Sequence, residues 1–137
     1  MKKNIMLVDD DKIFNFLSEK TITSLGLANE VHFAVNGKQA LELLEQYREG
    51  KISRPDIIFL DLNMPIMNGI EFLQVVKHDD YLRRIPVVVL TTSEEQQDKV
   101  NSFNLGVAGY MAKPVDYRQF VEVMRSIDAY WTISEMP

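Results

Sequence analysis

Residues 57–61 read Ile57-Ile58-Phe59-Leu60-Asp61, a short apolar run that ends at a carboxylate. Three other stretches share this design, in which an apolar run is followed by a polar residue suited to phosphoryl chemistry. They are residues 5–8 before Asp9-Asp10-Asp11, residues 87–90 before Thr91-Thr92-Ser93, and residues 110–112 before Lys113-Pro114. Runs that are continuously apolar, rather than alternating, are typical of strands buried on both faces. The four runs therefore predict strands of a parallel sheet with helices on each side.

Helix-like patterns lie between these runs. The first pattern, which ends near Gly26, has its apolar residues at Ile13, Phe14, Phe16, Leu17 and Ile22. A second helix is predicted to end at Gly50, and a third to cover residues 70–76. The fourth, over about residues 94–105, begins with the capping-box pattern Ser93-x-x-Gln96, and the fifth begins with Asp116-x-x-Gln119.

Strands and helices thus alternate along the whole chain. Val31, Phe33 and Val35 occupy alternate positions, which predicts a second strand nearer an edge. Five strand–helix units predict an α/β fold, a (βα)5 three-layer sandwich with right-handed crossovers. The usual arrangement is flavodoxin-like, with a parallel five-stranded sheet of order 2-1-3-4-5. In that order the first strand lies beside the third, so Asp9, Asp10 and Asp61 should be neighbours.

The polar residues at the strand ends predict one functional site. Ligands of open parallel sheets bind beyond the carboxyl ends of the strands, where the strand order reverses. Three carboxylates, a hydroxyl and an ammonium group would meet there. Clustered carboxylates repel one another, and a divalent cation such as Mg²⁺, which prefers oxygen ligands, offsets that repulsion. The pattern predicts a Mg²⁺-assisted phosphoryl acceptor that is itself a carboxylate.

Composition excludes several other classes of protein. The chain has 137 residues, which suits one domain, and no cysteine for a disulfide or a thiolate metal site. A net charge of −5 argues against direct nucleic-acid binding. No apolar stretch is long enough for a membrane span or a secretory signal, so we expect a cytoplasmic protein with no membrane partner.

Four motifs in this order and spacing resemble the receiver domains of two-component response regulators. They are Leu7-Val8-Asp9-Asp10-Asp11, Leu60-Asp61-Leu62-Asn63-Met64-Pro65 with Asn68-Gly69, Val89-Leu90-Thr91-Thr92-Ser93, and Gly109-Tyr110-Met111-Ala112-Lys113-Pro114. The connection at residues 48–56, the stretch at 83–93 and the tail with Tyr130-Trp131 are similar to small single-domain regulators that partner bacterial phytochrome-type kinases.

The resemblance implies a role for each residue of the site. Asp61 is implied as the phosphoryl acceptor, and Asp9, Asp10, Asp61 and the main-chain carbonyl of Asn63 as the Mg²⁺ ligands. Thr91 would bond a phosphoryl oxygen and Lys113 would pair with the phosphate. Thr91 and Tyr110 would form the switch, and the Lys113–Pro114 bond is implied as cis. Thr92 departs from the smaller alanine of many receivers and would crowd the approach to Asp61.

The predicted function is therefore a stand-alone receiver that is not an enzyme, apart from its own aspartyl phosphorylation and dephosphorylation. Residues 1–137 would form one domain, with a C-terminal extension from about residue 128. The donor would be a sensor histidine kinase or a histidine phosphotransfer protein, and an unknown downstream protein would respond. Apolar residues in the fifth helix, together with Tyr130 and Trp131, predict a homodimer through the fourth helix, fifth strand and fifth helix.

Three alternatives remain at this point. The chain could be a receiver that docks partners without phosphorylation, and sequence does not exclude this. A haloacid-dehalogenase-type hydrolase would need an aspartate where this chain has Asn63. A flavin-binding flavodoxin-like module would need an anion-binding loop after the first strand, where Asp9-Asp10-Asp11 would repel a phosphate.

Overall fold

The computed structural model describes residues 3–26, 28–114, 118–123 and 125–126. Its sheet has five parallel strands: β1 (Lys3–Val8), β2 (Ala28–Ala34), β3 (Ile57–Leu60), β4 (Val87–Leu90) and β5 (Gly109–Met111). Their order is β2-β1-β3-β4-β5, so the predicted flavodoxin-like arrangement is confirmed. The reversal of strand order falls between β1 and β3, as a ligand site at this edge requires.

Four helices connect these strands: α1 (Lys12–Leu25), α2 (Gly37–Arg48), α3 (Gly69–Lys77) and α4 (Glu94–Ser102). Residues 118–123 and 125–126 are also helical, and we call this element α5. None of the helices in the described part of the chain is long and apolar enough to cross a membrane.

The core lies on both faces of the sheet because residues 5–8, 57–60 and 87–90 of the three central strands are all apolar. On one face, Met6, Val8, Ile58 and Leu60 pack in a cluster with residues of α2, α3 and α4. On the other face, Ile5, Leu7, Ile57 and Phe59 share a cluster with Phe14 and Ile22 of α1 and Phe120 of α5. The strands between these two layers pair in register, with Val8 opposite Leu60 and Leu60 opposite Val89. The carboxyl ends of β1, β3 and β4 therefore lie side by side.

The apolar pattern of α1 is only partly core-facing. Phe14 and Ile22 are buried, but the side chain of Ile13 is 74% exposed and that of Phe16 is 65% exposed. The inner face instead buries Ser18 and Thr21, which sit at the spacing that one side of a helix requires. The predicted first helix is therefore confirmed, but Ile13 and Phe16 face away from its core-facing side, because side chains one and two positions apart on a helix point in different directions.

Three smaller predictions also need correction. Val35 lies just beyond β2 and is exposed. The fourth helix ends at Ser102 rather than near residue 105, since Asn104 takes a left-handed conformation with φ of 54°. No peptide bond between described residues is cis, so the Lys113–Pro114 bond is trans, the lower-energy isomer of an X–Pro bond. Tyr130 and Trp131, and the whole predicted C-terminal extension, lie outside the described residues.

Candidate functional site

The ends of β1 and β3 bring three carboxylates together. The backbone N–H of Asp61 donates to the carbonyl of Val8 at 2.9 Å, so Asp61 follows β3 directly beside the end of β1. Asp9, Asp10 and Asp61 each offer one carboxylate oxygen, and these oxygens lie within 4.8 Å of one another. Asp9 is fully buried, Asp61 is partly buried and Asp10 is exposed. Three oxygen donors at this spacing fit a hard divalent cation such as Mg²⁺.

Burial raises the pKa of two of these groups. Burial, followed by the neighbouring charge of Asp9, raises the pKa of Asp61 to about 6 from its ordinary value of 3.8. Burial also raises the pKa of Asp9, although the contact with Lys113 works in the opposite direction. The charged forms of Asp9 and Asp61 are therefore less favourable than in water, and a bound cation would stabilise them.

Lys113 supplies the positive charge nearest to these carboxylates. Its Nζ lies 2.7 Å from Asp9 Oδ2 and 3.5 Å from Asp11 Oδ2, and 4.7 Å from the centre of the Phe14 aromatic ring. Burial lowers the pKa of Lys113, but the contacts with Asp9 and Asp61 outweigh it and leave the pKa above its ordinary value. Lys113 is therefore charged, and its direct partner in this structure is Asp9 rather than Asp61.

Asp11 and Asn63 hold the chain around the carboxylates. The carboxylate of Asp11 caps α1 by accepting from the N–H groups of Ile13 and Phe14. The bond to the N–H of Phe14, more than any other contact, lowers the pKa of Asp11. The backbone N–H of Asn63 points to Asp61 Oδ1 at 3.5 Å. The main chain of the loop after β3 thus faces the carboxylate of Asp61.

Thr91 lies at the end of β4 and is bonded to the start of α4. Its hydroxyl donates to Gln96 Oε1 at 2.5 Å and accepts from the N–H of Ser93 at 3.1 Å. Sequence reasoning placed Gln96 in the cap of the fourth helix but missed its contact with Thr91. The capping pattern was the one available signal that Gln96 is near this strand end.

Tyr110, on β5, is directed towards α4. Its hydroxyl donates to Asn101 Oδ1 at 2.9 Å and lies 3.4 Å from the carbonyl oxygen of Gln97. Burial raises the pKa of this phenol, so it is neutral and able to donate at physiological pH. Asn101 was not predicted, and no local pattern marks it, because the contact joins side chains of two different elements, α4 and β5.

A groove of about 530 Å³ lies between the loop after β3 and the start of α4. Asp10 and Asn63 line one side, and Glu95, Gln96 and Lys99 line the other. Leu62, which follows Asp61 in the chain, is buried in the core. The groove therefore opens beside Asp10, and α4 forms one of its walls.

Comparison with known proteins identifies one family. Residues 5–125 match the profile of the response regulator receiver domain. Response regulator Rcp1 of Synechocystis sp. is 35% identical over 130 residues, which cover 94% of this chain and 88% of Rcp1. The structure of the phosphorylated cyanobacterial phytochrome response regulator RcpA matches with a TM-score of 0.80 at 34% identity, covering 99% of this chain and 98% of RcpA. The Mn²⁺-bound form of Rcp1 matches with a TM-score of 0.75 at 33% identity, covering 94% of each chain.

Proposed function

The chain belongs to the response regulator receiver domains of two-component systems, and we propose that it accepts a phosphoryl group on Asp61 in a Mg²⁺-dependent reaction. Response regulators receive this group from histidine kinases. The observation that carries the proposal is the cluster of Asp9, Asp10 and Asp61 at the reversal of strand order, with Lys113 beside it. Mn²⁺ bound to the relative Rcp1 supports a divalent cation in this family.

In the proposed reaction a carboxylate oxygen of Asp61 attacks the phosphorus of a phosphohistidine. The new O–P bond forms as the N–P bond breaks, and the imidazole leaves. When bound, Mg²⁺ neutralises charge on the phosphoryl oxygens, and its ligands would be Asp9, Asp10, Asp61 and the main-chain carbonyl of Asn63. Asp61 must be ionised to attack, and with a pKa of about 6 without metal it is already mostly ionised at pH 7.

Lys113 and Thr91 act on the phosphorylated form in this proposal. Lys113 is charged and partly exposed, and it would turn from Asp9 to the new phosphoryl oxygens. The Thr91 hydroxyl donates to another of these oxygens. Tyr110, released from its place against α4, then changes position together with Thr91. The chemistry alters the surface formed by α4, β5 and α5, to which a downstream protein responds.

The same surface is our expected site for a homodimer. Phe103, just after α4, is 45% exposed in this region. The chain would act as a single receiver unit, with the residues from about 128 as an extension. Because RcpA is a phytochrome response regulator, a phytochrome-type sensor kinase is the donor to test first.

Intact-mass spectrometry after incubation with phosphoramidate and Mg²⁺ tests the proposed function. The mass should rise by one phosphoryl group, and hydroxylamine should reverse the rise by cleaving the acyl phosphate. Asp61→Asn and EDTA should each prevent it. Asp80→Asn, which changes an exposed aspartate away from the cluster, is the matched control and should be labelled normally. An unlabelled wild type would leave the receiver as a phosphorylation-independent docking module.

A further inference from the structure

The hydroxyl of Thr91 is part of the N-terminal cap of α4. It donates to Gln96 Oε1 and accepts from the N–H of Ser93, while Ser93 Oγ accepts from the N–H of Gln96 at 3.3 Å. These three hydrogen bonds join the three residues in a closed circuit. The strand end that carries Thr91 is thereby bonded to the first turn of α4.

A comparison with α3 shows what is unusual about this cap. At the start of α3 the N–H of Asn68 donates directly to Glu71 Oε1 at 3.1 Å, and the N–H of Glu71 donates back to Asn68 Oδ1 at 2.9 Å. This reciprocal pair is a complete capping box. Ser93 and Gln96 occupy the equivalent positions in α4. There, however, the hydroxyl of Thr91 lies between the two groups that a capping box would join.

A threonine hydroxyl has a single proton to donate. In the present structure that proton goes to Gln96, so Thr91 cannot also donate to a phosphoryl oxygen. When Thr91 turns to the phosphoryl group, Gln96 Oε1 loses its donor and the N–H of Ser93 loses its acceptor. These two groups are the ones that pair directly in a capping box, three residues apart on the same helix turn.

We propose that Gln96 is a positioning residue that exchanges hydrogen-bond partners when Asp61 is phosphorylated. In the unphosphorylated protein Gln96 holds Thr91 away from the acceptor. In the phosphorylated protein Gln96 accepts from the N–H of Ser93 and closes the capping box of α4. The exchange pairs both of the groups that Thr91 releases, and it makes the start of α4 a two-state element. This inference rests on the proposed phosphorylation of Asp61.

Amide hydrogen exchange at Ser93, followed by NMR, tests the exchange of partners. The wild type and the variants Gln96→Ala, Gln96→Glu and Gln97→Ala are compared without ligand and with Mg²⁺ and excess phosphoramidate. Intact mass is measured on the same samples. Gln97→Ala is the matched control, because it removes the adjacent amide side chain but keeps the backbone carbonyl near Tyr110.

In the wild type and in Gln97→Ala, the Ser93 amide should be protected in both states. In Gln96→Ala it should stay protected without phosphorylation, since Thr91 still accepts from it. After phosphorylation its exchange should accelerate about fivefold, the factor that corresponds to a net hydrogen bond of about 1 kcal/mol. Gln96→Glu keeps an acceptor on a side chain of the same length and should restore the protection in the phosphorylated state.

Three results would overturn the exchange of partners. In the first, the Ser93 amide of the wild type loses protection on phosphorylation. In the second, the Ser93 amide of Gln96→Ala stays protected in the phosphorylated state. In the third, it loses protection equally in both states of Gln96→Ala, as a purely structural cap would. Each of these results comes from samples whose mass has risen by one phosphoryl group. A mass that does not rise is a separate outcome, which contradicts the proposed function itself and removes the basis of the exchange.

Discussion

The starts of α3 and α4 are built from the same kind of capping sequence but are held in different ways. The start of α3 is closed by its own Asn68 and Glu71, and Gly69 lies against the backbone of Asp61 and Leu62. The start of α4 is hydrogen-bonded to the hydroxyl of Thr91, which directly follows β4. Glu94, the first residue of α4, is exposed. Each helix follows a strand that ends at the candidate site. The difference indicates that one side of the site is fixed while the other can rearrange.

Packing further along the two helices supports this contrast. α3 buries Phe72, Leu73 and Val76 in the core, whereas α4 buries Val100. Segments with few buried apolar contacts open at a lower free-energy cost than well-packed ones. We therefore expect α3 to keep Asp61 in place and α4 to carry the conformational response.

The largest expected effect comes from adding a methyl group at the start of α3. A Cβ at Gly69 would lie 2.6 Å from the carbonyl oxygen of Asp61 and 2.8 Å from Leu62 Cα, and backbone atoms cannot move aside easily. Gly69→Ala should lower the free energy of unfolding by about 2 kcal/mol or more, even though alanine favours a helix. Urea denaturation in EDTA measures it.

Glu94→Ala makes the corresponding change at the first residue of α4. Unlike Gly69→Ala it adds no atoms and instead removes an exposed carboxylate, so this variant should stay within about 0.5 kcal/mol of the wild type. If Glu94→Ala lowered the free energy of unfolding as much as Gly69→Ala, contacts would hold the start of α4 as firmly as the start of α3.

The next effect concerns the carboxylate that precedes α3. The pKa of Asp61 is about 6 in the folded protein, above the value of 3.8 that applies to an unfolded chain. The folded state therefore binds this proton more tightly, so stability without metal should fall as the pH rises from about 4 to about 6. The loss is complete above pH 6, and it is absent below pH 4.

Asp61→Asn removes the titrating group and should raise the metal-free free energy of unfolding at pH 7 by about 1–2 kcal/mol, allowing for solvent screening. The gain should disappear near pH 4. Asp80→Asn, at an exposed position, should leave the pH profile unchanged. Thermal unfolding between pH 4 and pH 8 checks this, and a gain of equal size at every pH would mean that charge is not its cause.

The smallest effect compares the two caps directly. Asn68 Oδ1 accepts from the N–H of Glu71 at 2.9 Å, whereas Ser93 Oγ accepts from the N–H of Gln96 at 3.3 Å. Asn68→Ala should therefore lower the free energy of unfolding by about 1 kcal/mol, and Ser93→Ala by about 0.5 kcal/mol. Urea denaturation of both variants in EDTA measures the difference. If Ser93→Ala costs more than Asn68→Ala, the cap of α4 is the firmer of the two.

Much of the fold was predictable because its signals are local. Continuous apolar runs such as residues 57–60 identify strands buried on both faces, and their alternation with helical patterns leaves few topologies to consider. The strand order then followed from general rules for parallel sheets. The errors occurred where a local pattern has two interpretations. Val35 continues the alternating pattern of β2 but lies beyond its end, and Phe103 and Leu105 continue an apolar pattern beyond the end of α4.

Some features of the candidate site were likewise predictable from the sequence, and others were not. The order of motifs along the chain was enough to predict that Asp9, Asp10 and Asp61 come together with Lys113, because each lies within two residues of a strand end and parallel strands end at one edge. Only the tertiary structure decided which partner each polar group has. The pairing of Lys113 with Asp9, of Thr91 with Gln96 and of Tyr110 with Asn101 depends on how side chains from separate elements share protons and space. A hydrogen bond requires its two atoms within about 3 Å, and a pattern of residue types along a chain does not specify distances of that size.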